Sequence, residues 1–171
     1  MSDRPLNVLF LCTGNSARSI LAEAILNHLS EGRVRAYSAG SQPKGEPHPL
    51  ALDELQRAGI STEGLSSKSW TVFAEPGAPQ MDFIFTVCDS AAGETCPLWP
   101  GRPTTAHWGI EDPAAVQGSD LERRTAFATA ARLMRNRISA FLALPLTSLD
   151  ALAAQQLLRE IGQMEGKSHG R

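Results

Sequence analysis

The sequence predicts an α/β domain built on a four-stranded parallel sheet flanked by helices on both faces, with one helix added at the C-terminal end. Three observations carry this. Strand-like runs near residues 7–12, 34–38 and 82–88 alternate with helical patterns near 17–30, 47–58 and 120–143, the order that parallel strands with helical crossovers produce. Residues 83–87, Phe-Ile-Phe-Thr-Val, form a nearly continuous apolar run, as expected of a central strand covered on both sides. The first apolar run passes straight through a short polar loop into a helical pattern, a strand, loop and helix in immediate succession.

Taken in order, residues 7–11 are an apolar strand, and Ile20, Leu21 and Ala22 begin the core face of the helix that follows. Residues 41–49 are too rich in Pro and Gly for a regular element and read as a loop leading into a helix from Pro49 to Ala58, which Gly59 ends. A weaker strand is expected from Thr104 to Trp108. Between them, Pro97, Pro100, Pro103 and Pro113 mark an irregular region over 89–119, placed near the carboxyl ends of the strands where open sheets bind ligands. In the long helix over 120–143, Leu121, Ala128, Ala131, Leu133, Met134, Ile138, Phe141 and Leu142 give one apolar face. After Pro145 a last amphipathic helix is expected, with Ser148 as N-cap and Leu149, Leu152, Leu157, Leu158 and Ile161 as its apolar positions. The division expected is a catalytic domain over 1–145 and a helix with its tail over 146–171.

The chemistry concentrates in the first loop, Cys12-Thr13-Gly14-Asn15-Ser16-Ala17-Arg18-Ser19. Five residues between Cys12 and Arg18 let the backbone curl so that successive N–H groups and the start of the next helix point at one spot, where a tetrahedral anion would be held. Gly14, Asn15 and Ser16 tolerate the backbone angles such a curl needs. Residues Thr13, Gly14, Asn15, Ser16, Ala17 and Arg18 are therefore the expected oxyanion cradle, with Cys12 at its floor. A thiolate there is favoured by the helix N-terminus, by Arg18 and by the Ser19 hydroxyl.

Composition sets the class. The 171 residues suffice for one domain with a core of its own, and 42% hydrophobic with 20% charged residues is ordinary for a globular protein. A formal net charge of −2 gives no reason to expect nucleic acid as a partner. Residues 1–5 lack a signal-peptide pattern, and the apolar run after them is too short to span a bilayer, so a cytoplasmic protein is expected. Three cysteines, an odd number, argue against a structural disulfide framework and for reactive or buried thiols in a reducing compartment.

A Cys-x5-Arg-Ser loop after the first strand of a chain this long resembles the low-molecular-weight protein tyrosine phosphatase superfamily. Tyr37-Ser38-Ala39-Gly40 after the second strand, the helix ending in Gly59-Ile60, and the Asp112-Pro113 pair extend the resemblance over roughly residues 6–143. It implies Cys12 as nucleophile, Arg18 as oxyanion clamp and Asp112 as the general acid that protonates a leaving oxygen. Phosphatases of this superfamily take a phosphoryl group from tyrosine. The arsenate reductases that share the fold add two cysteines beyond the third strand, and here Cys88 ends that strand with Cys96 eight residues on.

The resemblance to the reductase branch implies arsenate as substrate and a relay: Cys88 attacks the sulfur of an arsenylated Cys12, and Cys96 resolves the Cys12–Cys88 disulfide for an external reductant. Thioredoxin is the expected reductant, with glutathione and glutaredoxin as the other, and no bound cofactor is expected. A helix over 88–96 would hold its ends about 12 Å apart, whereas a disulfide needs Cα atoms about 5.5 Å apart. The segment would then loop or unwind on oxidation. Ala17 stands where phosphatases commonly carry a second loop cysteine, and the relay cysteines are one residue further apart than in the best-known thioredoxin-coupled reductases.

Some of those reductases bind potassium through an Asn, a Glu, a Ser and an Asp. Asn15, Glu23 and Ser38 match three of these and Lys68 falls near the fourth, so no metal is expected. His28, His48, His107 and His169 show no metal-ligand spacing and none is assigned to catalysis. Trp70, Trp99 and Trp108 are expected in core rather than in a pocket wall. Two other functions use the same cradle: a phosphotyrosine phosphatase, and an oxyanion sensor without turnover.

Overall fold

The computed structural model describes residues 4–88, 99 and 101–167. Strands β1 (Leu6–Leu11), β2 (Val34–Ala39), β3 (Phe83–Thr86) and β4 (Thr104–His107) form one sheet in the order β2-β1-β3-β4. All pairings are parallel. β1 is interior, which explains its apolar sequence: Val8, Leu9 and Phe10 are fully buried. Its residues alternate between two clusters, Val8 and Phe10 on one side, where Cys12 just beyond the strand joins them, and Leu9 and Leu11 on the other.

The first cluster is covered by helices α1 (Arg18–Leu29), α2 (Pro49–Arg57), α3 (Asp120–Leu142) and α4 (Ala151–Gly162). The second is closed, among the described residues, by Phe73 of a 3-10 turn, Met81, and the flanking Tyr37, Trp70 and Trp99. Aromatic rings knit the sheet to α3: Phe85 stacks on Trp108 with centroids 3.8 Å apart, and Phe141 meets both edge-on. Each such fully buried side chain contributes about 1.5–3 kcal/mol. No helix among the described residues is long and apolar enough to cross a membrane.

Local signals explain most element ends. α2 starts at Pro49 with His48 as N-cap, its ring nitrogen accepting from the Leu50 N–H at 3.1 Å, and ends at Ala58 before Gly59 as expected. α3 opens on a capping box in which Ser119 and Glu122 each satisfy the other's backbone N–H.

Three expectations are corrected. The cap of α4 is Asp150, whose carboxylate accepts from Ala153 N–H at 2.8 Å, while Ser148 closes a turn onto the Pro145 carbonyl. Its buried side is Ala154, Leu158, Ile161 and Gly162, and Leu152 is 80% exposed, because the helix docks on β4 with a narrower face than its leucines mark out. In α3 the buried face runs through Phe127, Ala130, Leu133, Met134, Arg137, Ile138 and Phe141. Leu121 lies outside it, 74% exposed, and the stripe is shifted by one residue at its start because Phe127 is drawn in against His48, 4.8 Å away.

Candidate active site

The loop between β1 and α1 is held open by its surroundings. Its carbonyls are drawn outward: Thr13 O accepts from Gln42 N–H at 2.9 Å, Gly14 O from Lys44 N–H at 2.9 Å, and Ser16 O from His48 N–H at 2.8 Å. Segment 42–48, the Pro- and Gly-rich loop, is thus a belt around the cradle. Gly40 packs against the Cys12 and Thr13 carbonyls so closely that a Cβ there would collide with both, which accounts for the glycine after Ala39. At the helix start Ala17 supplies no side-chain cap, leaving the first-turn N–H groups of α1 for an anion.

Asn15 takes the left-handed turn of the loop, with φ of 44°. Its side chain is fully buried and saturated: Nδ2 donates to Ser19 Oγ and Ser38 Oγ, both at 2.9 Å, and Oδ1 accepts from Lys68 N–H at 2.8 Å. Ser38 Oγ in turn donates to Glu23. Ser19 therefore belongs to the scaffold under the loop, where it accepts Asn15's bond.

Cys12 and Cys88 are both buried, 6% and 2% exposed, and they meet. The Cys88 sulfur accepts from the Thr13 N–H at 3.3 Å and lies 3.7 Å from Thr13 Oγ1. The contact with Cys88, together with burial, pushes the Cys12 thiol up, against the pull of the Arg18 guanidinium and the Gly14 N–H toward thiolate. The Cys88 sulfur beside it and the loss of water thus oppose a charge on Cys12, and the guanidinium and the loop N–H favour one. Cys96 lies outside the described residues.

Arg18 spans from the cradle to the loop after β4. Its Nη1 donates to the Ile110 carbonyl at 3.0 Å and its Nη2 stands 3.6 Å from Asp112 Oδ2. Its Nε is buried with no partner among the described residues. An unmet buried donor costs about 1–3 kcal/mol, and an oxyanion in the cradle would remove that cost. Asp112 is 39% exposed at the mouth and is held by the Ala114 N–H at 3.0 Å. The cleft measures about 220 Å³ and is lined by residues 12–18 with Gln42, Lys44, Asp112 and Ala114. That is small beside drug-sized pockets of about 300–1,000 Å³. Its lining includes the cations Arg18 and Lys44, the Asp112 carboxylate, the amides of Asn15 and Gln42 and the Cys12 thiol, equipment suited to a tetrahedral oxyanion.

Residues 7–159 match the family model for low molecular weight phosphotyrosine protein phosphatase. The chain belongs to that family. Among its relatives, an arsenate reductase of Shouchella clausii is 36% identical over 120 residues, 70% of this chain and 83% of the relative. A solved arsenate reductase in the phosphate binding state is 26% identical with a TM-score of 0.65, covering 81% of this chain and 97% of its own. A thioredoxin-dependent arsenate reductase from Corynebacterium glutamicum is 25% identical with a TM-score of 0.54, covering 81% of this chain and 64% of its own.

Lys68 is the residue expected near the fourth position of a potassium site. Lys68 Nζ donates to the carbonyls of Ser38 at 2.9 Å and Ser66 at 2.6 Å. Burial pushes the Glu23 carboxyl up, opposed by the Ser38 hydroxyl and Lys68, and burial pushes Lys68 down, opposed by Glu23. No cluster of three or more His, Cys, Asp or Glu placed to hold a metal occurs among the described residues.

Sequence reading missed Gln42 and Lys44, which line the cleft. Both come from an exposed loop, and only the carbonyls of Thr13 and Gly14, which their N–H groups hold, bring them to the cleft. His48 reports the charge there: burial and the cations Arg123 and Lys44 pull its imidazole pKa down, against Asp112. Trp108, expected in core, is fully buried.

Proposed function

We propose that the chain reduces arsenate to arsenite, with Cys12 as nucleophile and Cys88 and Cys96 as the disulfide relay. One observation carries the reading: the Cys88 sulfur is lodged against the nucleophile loop, bonded to Thr13 and in contact with Cys12. Phosphoryl transfer through Cys12 and hydrolysis by water need no second thiol in the reaction. The chemistry balances with these groups. The Cys12 thiolate attacks arsenic and an As–O bond breaks, its oxygen leaving as water with a proton from Asp112. The Cys88 thiolate then attacks the Cys12 sulfur, and the S–As electron pair passes to arsenic. Arsenic(V) becomes arsenic(III), arsenite leaves, and a Cys12–Cys88 disulfide remains. Cys96 thiolate attacks Cys88, freeing Cys12 and leaving Cys88–Cys96 for an external dithiol. The arsenate reductase relatives support this assignment, and the likeness to a thioredoxin-dependent member supports thioredoxin over glutathione and glutaredoxin as the reductant.

The second reading is a phosphotyrosine phosphatase, which Asp112 and the cradle would equally serve. Against it, no aromatic side chain lines the cleft among the described residues to grip a phenol ring. The test is arsenate-dependent NADPH oxidation in the presence of thioredoxin and its reductase, beside hydrolysis of an aryl phosphate. A reductase loses turnover with each of Cys12→Ser, Cys88→Ser and Cys96→Ser. Turnover that survives Cys88→Ser and Cys96→Ser, with aryl phosphate hydrolysis lost only in Cys12→Ser, makes the phosphatase the correct reading.

A further inference from the structure

Among the described residues the C-terminal segment contributes nothing to the cleft lining, yet it is fastened at several points to the loop that carries Asp112. Trp108, at the root of that loop, donates from Nε1 to the Leu158 carbonyl of α4 at 2.9 Å. Gly162 closes on the His107 carbonyl so tightly that any Cβ would collide with it. Beyond α4, Lys167 forms an antiparallel bridge with Ile110. Ile110 also takes a bond from the loop's other side, since its N–H donates to the Val87 carbonyl at 3.3 Å.

Arg137 pins this segment from behind. It is fully buried in α3, with no carboxylate partner among the described residues. Its Nη1 donates to Glu165 O at 3.2 Å and to Leu133 O at 3.3 Å, and its Nη2 to Met164 O at 3.2 Å. A buried guanidinium without a counter-charge is costly. Here its reach is directed at the two carbonyls of the turn that delivers Lys167 to Ile110. Ile110 is the residue whose carbonyl accepts from Arg18 Nη1 at 3.0 Å.

We infer that the C-terminal segment, clamped by Arg137 and paired to Ile110 through Lys167, is a positioning device that holds Arg18 in its oxyanion-binding orientation. The inference rests on the reading of residues 12–18 as an oxyanion cradle, whichever reaction the cradle serves. Arg137 and the backbone of Lys167 are positioning residues, since neither reaches the cleft.

The experiment is calorimetric titration of the reduced full-length protein with inorganic phosphate, for wild type, Arg137→Met, Lys167→Pro and Leu152→Ser, with thermal midpoints measured alongside. Arg137→Met keeps apolar volume and releases the turn; Lys167→Pro disfavours the bridge through one exposed residue. Both weaken phosphate binding about tenfold, equivalent to about 1.4 kcal/mol, while Leu152→Ser on the exposed side of α4 binds as wild type. Should Arg137→Met fail to fold, Lys167→Pro decides. Folded variants that bind phosphate within about twofold of wild type, whatever their thermal midpoints, overturn the inference and leave the segment a purely structural cover. A wild type that does not bind phosphate removes the cradle reading itself, a different result from a cradle that binds and ignores the brace.

Discussion

The Cys88 sulfur accepts the Thr13 backbone N–H at 3.3 Å, which places the second thiol of the proposed relay inside the hydrogen-bond frame of the first. That bond holds the Cys88 sulfur against the loop that carries Cys12. Cys88→Ser is therefore expected to stop the reaction after the first step. Phosphate affinity stays near wild type, multiple turnover with thioredoxin is abolished, and no arsenite is released in a single turnover. Arsenite release by Cys88→Ser at the wild-type rate would mean that another thiol performs the attack.

Asp112 has two tasks that one substitution separates. Its carboxylate faces Arg18 at 3.6 Å and also caps the short turn at Pro113 by accepting from Ala114. Asn keeps an oxygen for the cap and loses the proton. Asp112→Asn is expected to lower kcat by about 10²–10⁴, the usual worth of general acid catalysis, with the thermal midpoint little changed.

How far the sequence reached follows from how local each signal is. The cradle was legible because Cys12, Gly14, Asn15 and Arg18 lie within one loop, and chain spacing there is nearly spatial spacing. The sheet was legible for the same reason, since β1 and β3 announce burial residue by residue. Arg137 was invisible: a cation in an apolar stripe reads as solvent-facing, and its partners Met164 and Glu165 lie 27 and 28 residues away. Lys44 was equally hidden, because nothing in a Pro- and Gly-rich loop says which carbonyls will capture it. The meeting of Cys88 with Cys12 came only through the family resemblance, being a contact across the ends of two strands.

Glu23 and Lys68 make stability depend on pH with a definite sign. Burial raises the folded-state pKa of Glu23 above its unfolded value near 4.3. Its contribution to stability is thus fully present below about pH 4.3 and is lost as pH rises through the raised folded value. Lys68→Met removes the ammonium that holds the carboxyl down. The loss should deepen and extend to higher pH, while Glu23→Gln flattens this part of the profile. Urea unfolding between pH 4 and pH 8 measures both slopes. Equal slopes in wild type and Glu23→Gln would show that Glu23 is not the titrating group.

Lys44 offers the simplest test of what the cleft selects. Its aliphatic stem lies over Gly14, with Cε 3.1 Å from where a Cβ would stand, and its side chain lines the mouth opposite Asp112. No ion pair holds the ammonium among the described residues, so it is free to follow the charge on an incoming anion. Arsenate is a mixture of monoanion and dianion at neutral pH, and an exposed cation near it contributes a modest, salt-screened attraction. Lys44→Gln is expected to raise KM for arsenate about threefold to tenfold, corresponding to about 0.7–1.4 kcal/mol, and to leave kcat near wild type. The gap in KM should shrink as ionic strength rises toward 1 M, where the Debye length falls to about 3 Å. A gap that persists at high salt would assign Lys44 a direct hydrogen bond to the oxyanion. A fall in kcat with KM unchanged would instead place it in the transition state.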